Sequence, residues 1–197
     1  MSEQTAASAP PLEGRHVRLR PVVESDHDYL YRLAMQPEVG FRWRTQGSSP
    51  NPVSFVETLW RDVLVQFISE SVATGEPVGL VTCFAANMRE GWAHVALVAD
   101  PRWAHTGVVM SPMTLLLNYV FTLWNFRKLY MESAHYNYMN ISSGEGRLFH
   151  EEGKLKDHMF HNGRYWDLHV LAIYRKDWDK NKDRALGLAL PRRAAAR

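Results

Sequence analysis

The spacing of apolar positions changes several times along the chain, and each change marks an element. Val17-Arg18-Leu19-Arg20 alternates and stops at Pro21, which predicts a strand. Ser25 and Asp28 have the spacing of a capping box, and Leu30, Leu33 and Ala34 follow as a helical stripe limited by Pro37. Asn51 and Pro52 suit the start of a second helix with Phe55, Leu59 and Trp60 on one face. From Val63 to Ser69 the pattern fits strand and helix equally. Val78 to Phe84 and Trp92 to Ala99 read as strands, divided by the turn Arg89-Glu90-Gly91 and closed by Asp100-Pro101. Met113, Leu116, Leu117, Val120, Phe121 and Trp124 form the clearest helical stripe, with Ser111 and Pro112 at its start. Leu129 to Ala134 predicts a short strand, and a weak helical region follows it. Asn162-Gly163 between strand-like residues predicts a hairpin whose second arm continues through Leu168 to Tyr174. The order is that of a mixed α/β or α+β sheet. One domain over residues 12–178 is expected, between a loose tail (1–11) and a peripheral C-terminal tail (179–197).

Composition narrows the function classes. At 197 residues the chain can bury a core without a metal or disulfide staple. Lys plus Arg exceed Asp plus Glu by 23 to 21, a balance with no overall nucleic-acid footprint. Met113 to Trp124 is too short to span a bilayer, so no membrane partner is expected. The single Cys83 excludes an internal disulfide and a Cys-rich zinc site, and suits a reducing cytoplasm. His158 and His161 lie three apart, which on a strand puts them on opposite faces, so no metal is expected.

Four stretches together resemble the GNAT superfamily of acyl-CoA-dependent N-acyltransferases, in its ribosomal-protein-alanine acetyltransferase branch. LEGRHVRLRPVVESDHDYLYRL is similar to the branch's first strand and helix, and TGEPVGLVTCF to its central hairpin. HVALVADPRWAHTGVVMSPMTLLLNYVF matches the strand, donor loop and helix that hold the cofactor, and FHNGRYWDLHVLAIYRKDW matches the closing hairpin. The resemblance implies a mostly antiparallel central sheet flanked by helices, with splayed central strands. It assigns Ala96 to Ala99, with Leu97, Val98 and Ala99 foremost, to the pantetheine arm and the thioester oxygen. It assigns Ala104 to Val109, hence His105, Thr106, Gly107, Val108 and Val109, to the diphosphate, held by N–H groups at a helix start. Asn140 matches a donor-binding position, with capping of a shortened helix as its alternative reading. Arg42 and Trp43 fall in the loop that roofs the acceptor site.

The chain also departs from this pattern. His105 and Thr106 stand where the family's loop has a glycine and a basic residue, so the diphosphate cradle reads as eroded. The tyrosine often used as general acid is missing, leaving Ser143 and Tyr138 as substitutes. His94 replaces a glutamate near the acceptor amine, and a histidine titrating near pH 6.5 suits a general base.

The expected reaction is direct transfer of an acyl group from a phosphopantetheine thioester to an amine of a small molecule. The eroded loop favours a donor tethered to an acidic acyl or peptidyl carrier protein over coenzyme A, in natural-product biosynthesis. Arg102, Arg127, Lys128, Arg147, Lys154 and Lys156 would supply a basic rim for that partner. The alternatives are an acetyl-CoA-dependent N-acetyltransferase of a protein N-terminus or small amine, and a non-catalytic GNAT-fold binding domain. The sequence leaves the oligomeric state open, with Tyr165-Trp166 suited to join two copies as a homodimer.

Overall fold

The computed structural model describes residues 9–40, 47–103 and 110–191. Its strands are β1 (Val17–Pro21), β2 (Val63–Ser71), β3 (Pro77–Asn87), β4 (Trp92–Ala99), β5 (Lys128–Ala134), β6 (His150–His161) and β7 (Arg164–Tyr174). Its helices are α1 (His27–Ala34), α2 (Pro37–Gly40), α3 (Pro52–Leu59), α4 (Met110–Leu123), α5 (His135–Ile141) and α6 (Arg175–Ala189). The strands form one seven-stranded sheet in the order β1-β2-β3-β4-β5-β7-β6. Only the central pair, β4 and β5, runs parallel. This is the mixed, mostly antiparallel sheet flanked by helices that the sequence predicts.

The ambiguous stretch after Trp60 is strand β2. Phe67 and Ile68 are both buried, on opposite faces, so the polar alternation that would have identified a strand is absent. One face of the sheet packs Phe67, Val81, Cys83, Val95, Leu129 and Leu171 against Leu116 and Val120 of α4 and Trp178 of α6. The other packs Ile68 and Leu80 under Leu30, Leu33, Phe55 and Leu59 of α1 and α3. Asn51 caps α3 as expected, its side chain accepting the Ser54 N–H at 3.0 Å.

Two local expectations fail for tertiary reasons. The box anticipated at Ser25 and Asp28 is replaced by a 3-10 turn over Glu24–Asp26. There Asp26 accepts the Val23 N–H at 2.9 Å and binds both terminal nitrogens of Arg20 at 2.7 and 2.8 Å. The segment after Trp178 is no peripheral tail. The 15-residue α6 buries Trp178 and Ala189, and the Ala189 carbonyl accepts the Arg15 N–H at 2.6 Å. Its charged sequence hides a docking edge of few apolar residues. The hairpin turn is as predicted: Asn162 and Gly163 both take left-handed φ, 50° and 76°. Among the described residues, no helix is long and apolar enough to cross a membrane.

Candidate active site

The central strands part midway. β4 pairs with β5 only from Trp92 opposite Lys128 to His94 opposite Tyr130. β4 continues against β3 as far as Ala99 opposite Gly79, while β5 continues against β7 as far as Ala134 opposite Leu168. A wedge therefore opens between Val95–Ala99 and Met131–Ala134, bordered by strand edges that do not satisfy each other. Backbone N–H and C=O groups on such edges require partners, and an extended ligand with amides of its own has the chemistry to supply them. Gly79 holds the β4 side of the wedge in place. A Cβ there would lie 2.1 Å from the Val98 carbonyl oxygen, so only glycine lets β3 approach this closely.

Register assigns the side chains around the wedge to faces. Phe84, His94 and Tyr130 are successive cross-strand partners, so they share the face that carries Leu80 and Val98. The α1–α3 layer covers β2 and β3 on this face. Beyond it lies a cleft of about 480 Å³ lined by Trp92, His94, Tyr130, Glu152, Gly153 and Val170. The His94 ring is half-buried among aromatics, with centroids 5.5 Å from Phe84, 5.8 Å from Trp92 and 5.4 Å from Tyr130. Burial pulls its pKa below the ordinary value, and the negative charge of Glu132 partly opposes this. The imidazole is therefore neutral at neutral pH and able to accept a proton.

Two carboxylates on this face, Glu152 across the cleft and Glu132 closer to His94, differ in state. Glu152 accepts the Lys128 ammonium at 2.8 Å on Oε1 and 2.7 Å on Oε2. The Tyr130 hydroxyl donates to the same carboxylate at 2.9 Å, and the Tyr174 hydroxyl also donates to it. Burial disfavours ionisation of Glu152, but the hydrogen bonds from Lys128, Tyr174 and Tyr130 outweigh it and hold the carboxyl below its usual range. The Lys128 ammonium also sits 4.4 Å from the Tyr130 ring centroid and 5.6 Å from that of Tyr174. Glu132, two residues beyond Tyr130 on the same face of β5, is exposed and makes no hydrogen bond or ion pair among the described residues.

The other expected site residues are placed as follows. Leu97, Val98 and Ala99 line the β4 side of the wedge. Asn140 is exposed near the end of α5, and Ser143 is exposed in the 3-10 turn that follows, its carbonyl accepting from Arg147. Tyr138 is buried on α5, stacked on His169 at 4.0 Å, and its hydroxyl donates to Glu145. That bond, aided by burial, pushes the phenol up to about 12. Buried His169 is bonded to Glu151 at 2.6 Å and to His135 at 2.9 Å, which ties the first turn of α5 to β6 and β7. Arg42 and Trp43 of the acceptor loop, and His105, Thr106, Gly107, Val108 and Val109 of the donor loop, lie outside the described residues. Cys83 is buried, which pushes its thiol up to about 12 and makes it inert.

The basic rim is not assembled as expected. Arg102 pairs with Asp100 at 2.8 Å and Lys154 with Asp167 at 2.9 Å, while Lys128 is buried beneath the cleft rather than on a rim. Sequence reading also missed Trp92, Tyr130, Glu132 and Glu152. A signal for two of them was present: Lys128, Tyr130 and Glu132 alternate with Leu129 and Met131, which marks a strand with one polar face.

No family model matches the chain. Spermidine N(1)-acetyltransferase of Escherichia coli K12 is 25% identical over 169 residues, covering 82% of this chain and 88% of that protein. The enzyme of the same name from Vibrio cholerae serotype O1 is 29% identical over 101 residues, 51% of this chain and 58% of that protein. Among solved structures, Vibrio cholerae spermidine N-acetyltransferase in complex with CoA and spermine superimposes with a TM-score of 0.70. It is 22% identical, and the match covers 82% of this chain and 97% of that one.

Proposed function

We propose that this chain is a GNAT-type acyltransferase that moves an acetyl group from acetyl-CoA to a primary amine of a small cationic molecule. The polyamines that name its relatives head the list of acceptors. The observation that carries this reading is the parting of β4 and β5, with His94 and Glu132 at its mouth. The opened edge of β4 from Ala96 to Ala99 suits the pantetheine arm, and Asn140 suits its outer part. An arriving ammonium meets Glu132 and loses a proton to His94, directly or through water. The amine nitrogen then attacks the thioester carbon. N–H groups of β4 near Leu97 or Val98 stabilise the oxyanion, an effect of roughly 3–4 kcal/mol per donor in well-studied enzymes. As the C–N bond forms and the C–S bond breaks, the departing thiolate takes a proton, for which exposed Ser143 is better disposed than Tyr138, whose phenol is held by Glu145.

Coenzyme A is favoured over a carrier-tethered donor because the relatives are acetyltransferases of a small amine and the basic groups of the expected rim are partly consumed in ion pairs. We read the enzyme as cytoplasmic, in keeping with a single, buried, unreactive cysteine.

The test follows thiol release and acetylated product with spermidine as acceptor and acetyl-CoA or acetyl-carrier protein as donor. Turnover with acetyl-CoA, and loss of about 100-fold or more in kcat/KM in His94→Ala, is the expected result. Turnover with the carrier thioester alone would overturn the donor assignment, and a fully active His94→Ala would remove the base.

A further inference from the structure

Glu152, which lines the cleft, and Glu132, which lies beside it on β5, have different capacities, and this bears on which amines the enzyme selects. A carboxylate offers about four acceptor positions. In Glu152 all are taken: Oε1 by Lys128 and Tyr174, Oε2 by Lys128 and Tyr130. The Lys128 ammonium thus occupies, from within the protein, an aromatic and acidic cage of the kind that binds an alkylammonium ligand. Glu152 lies across the cleft from His94. β6 is three strands from β4 in the sheet, about 14 Å at the usual strand spacing, and both side chains reach inward to line the same cavity. A distal ammonium of a bound polyamine would fall within that span, yet it finds Glu152 already neutralised. Glu132, exposed beside the cleft, makes no hydrogen bond or ion pair among the described residues and keeps its acceptor positions open.

We infer that Lys128 is a specificity-determining residue: by filling the Glu152 cage it leaves the cleft lining without an open carboxylate among the described residues, so that exposed Glu132, beside the cleft on β5, is the ammonium anchor and the enzyme recognises a single cationic amine on an alkyl chain. The remaining charges of a polyamine stay in solvent and contribute little to selection. Trp92, Tyr130 and Val170 hold the alkyl chain, a contact that butylamine and spermidine share. This inference rests on the amine-acceptor reading above.

The experiment compares kcat/KM for spermidine and n-butylamine with acetyl-CoA as donor in wild type, Lys128→Met, Lys128→Met/Glu152→Gln and Glu132→Gln. The wild-type ratio of spermidine to butylamine is expected to stay below about tenfold, the effect of one added ionic hydrogen bond. Lys128→Met empties two acceptor positions on Glu152 and should raise the ratio about tenfold or more, and the double variant should bring it back. Glu132→Gln should lower both amines together and leave the ratio in place. A wild-type preference for spermidine well above tenfold overturns the inference whether or not any variant folds. So does a folded Lys128→Met with an unchanged ratio, or a Glu132→Gln that weakens spermidine alone. If wild type acetylates neither amine, the proposed function fails, and the same ratios read as Kd by calorimetry still decide the role of Lys128.

Discussion

His94 combines burial, which favours its neutral form, with a nearby carboxylate that favours the charged form, and burial prevails. The acid limb of the kcat/KM profile should therefore fall below the ordinary histidine value near 6.5. Glu132→Gln removes the opposing charge, so it should move that limb to still lower pH, as pH-rate profiles at fixed ionic strength can show. An unmoved limb would mean that Glu132 does not act on His94. Glu132 and Glu152 show why two carboxylates of one face cannot be treated alike. Glu152 is closer to being a structural counter-ion, and Glu132 keeps its charge available.

At the level of elements, the site depends on where pairing stops. Three residues of β4 pair with β5, after which each strand follows a different neighbour, and the wedge results. Strand β4 can leave β5 because Gly79 lets β3 hold it closely. Behind the sheet, α6 closes the core beside α4, with Trp178 stacked on Phe121 at 6.1 Å. Arg175, at the start of α6, donates to the Phe121 and Phe126 carbonyls at 2.8 and 2.6 Å. Trp178→Ala should cost about 3–5 kcal/mol and lower Tm by roughly 10 °C, as measured by calorimetry. An unchanged Tm would return α6 to the peripheral role that its charged sequence suggests.

For the molecule as a whole, acid sensitivity should arise at the β1 edge, away from the cleft. Asp26 and Glu70 are both held below the usual carboxylate range, each chiefly by its hydrogen bond to Arg20, with Arg18 adding to Glu70. Their folded pKa values lie below the unfolded ones. The stability they contribute is therefore complete above the unfolded values near 4 and is lost as pH falls through the folded values. Urea unfolding between pH 7 and pH 3 should show this loss. Arg20→Met should remove about 3 kcal/mol at pH 7 and flatten the pH dependence. A variant as stable as wild type at pH 7 would show the network to be energetically idle.

The sequence alone determined most elements, because their signals are local. Alternation marks Trp92–Ala99, a 3.6-residue stripe marks α4, and Asn162-Gly163 marks the hairpin. It also placed His94 on the face shared with Ala96 and Val98, since a strand's faces follow from its period of two. Tertiary structure decided which residues that face meets. Tyr130 and Glu132 reach His94 through the β4–β5 register, and Glu152 arrives through the order β5-β7-β6 and a register shift between Glu151 and Gly153. Periodicity specifies a side chain's direction but not its neighbours across strands. The state of each carboxylate, one saturated and one open, was therefore settled only when the sheet was assembled.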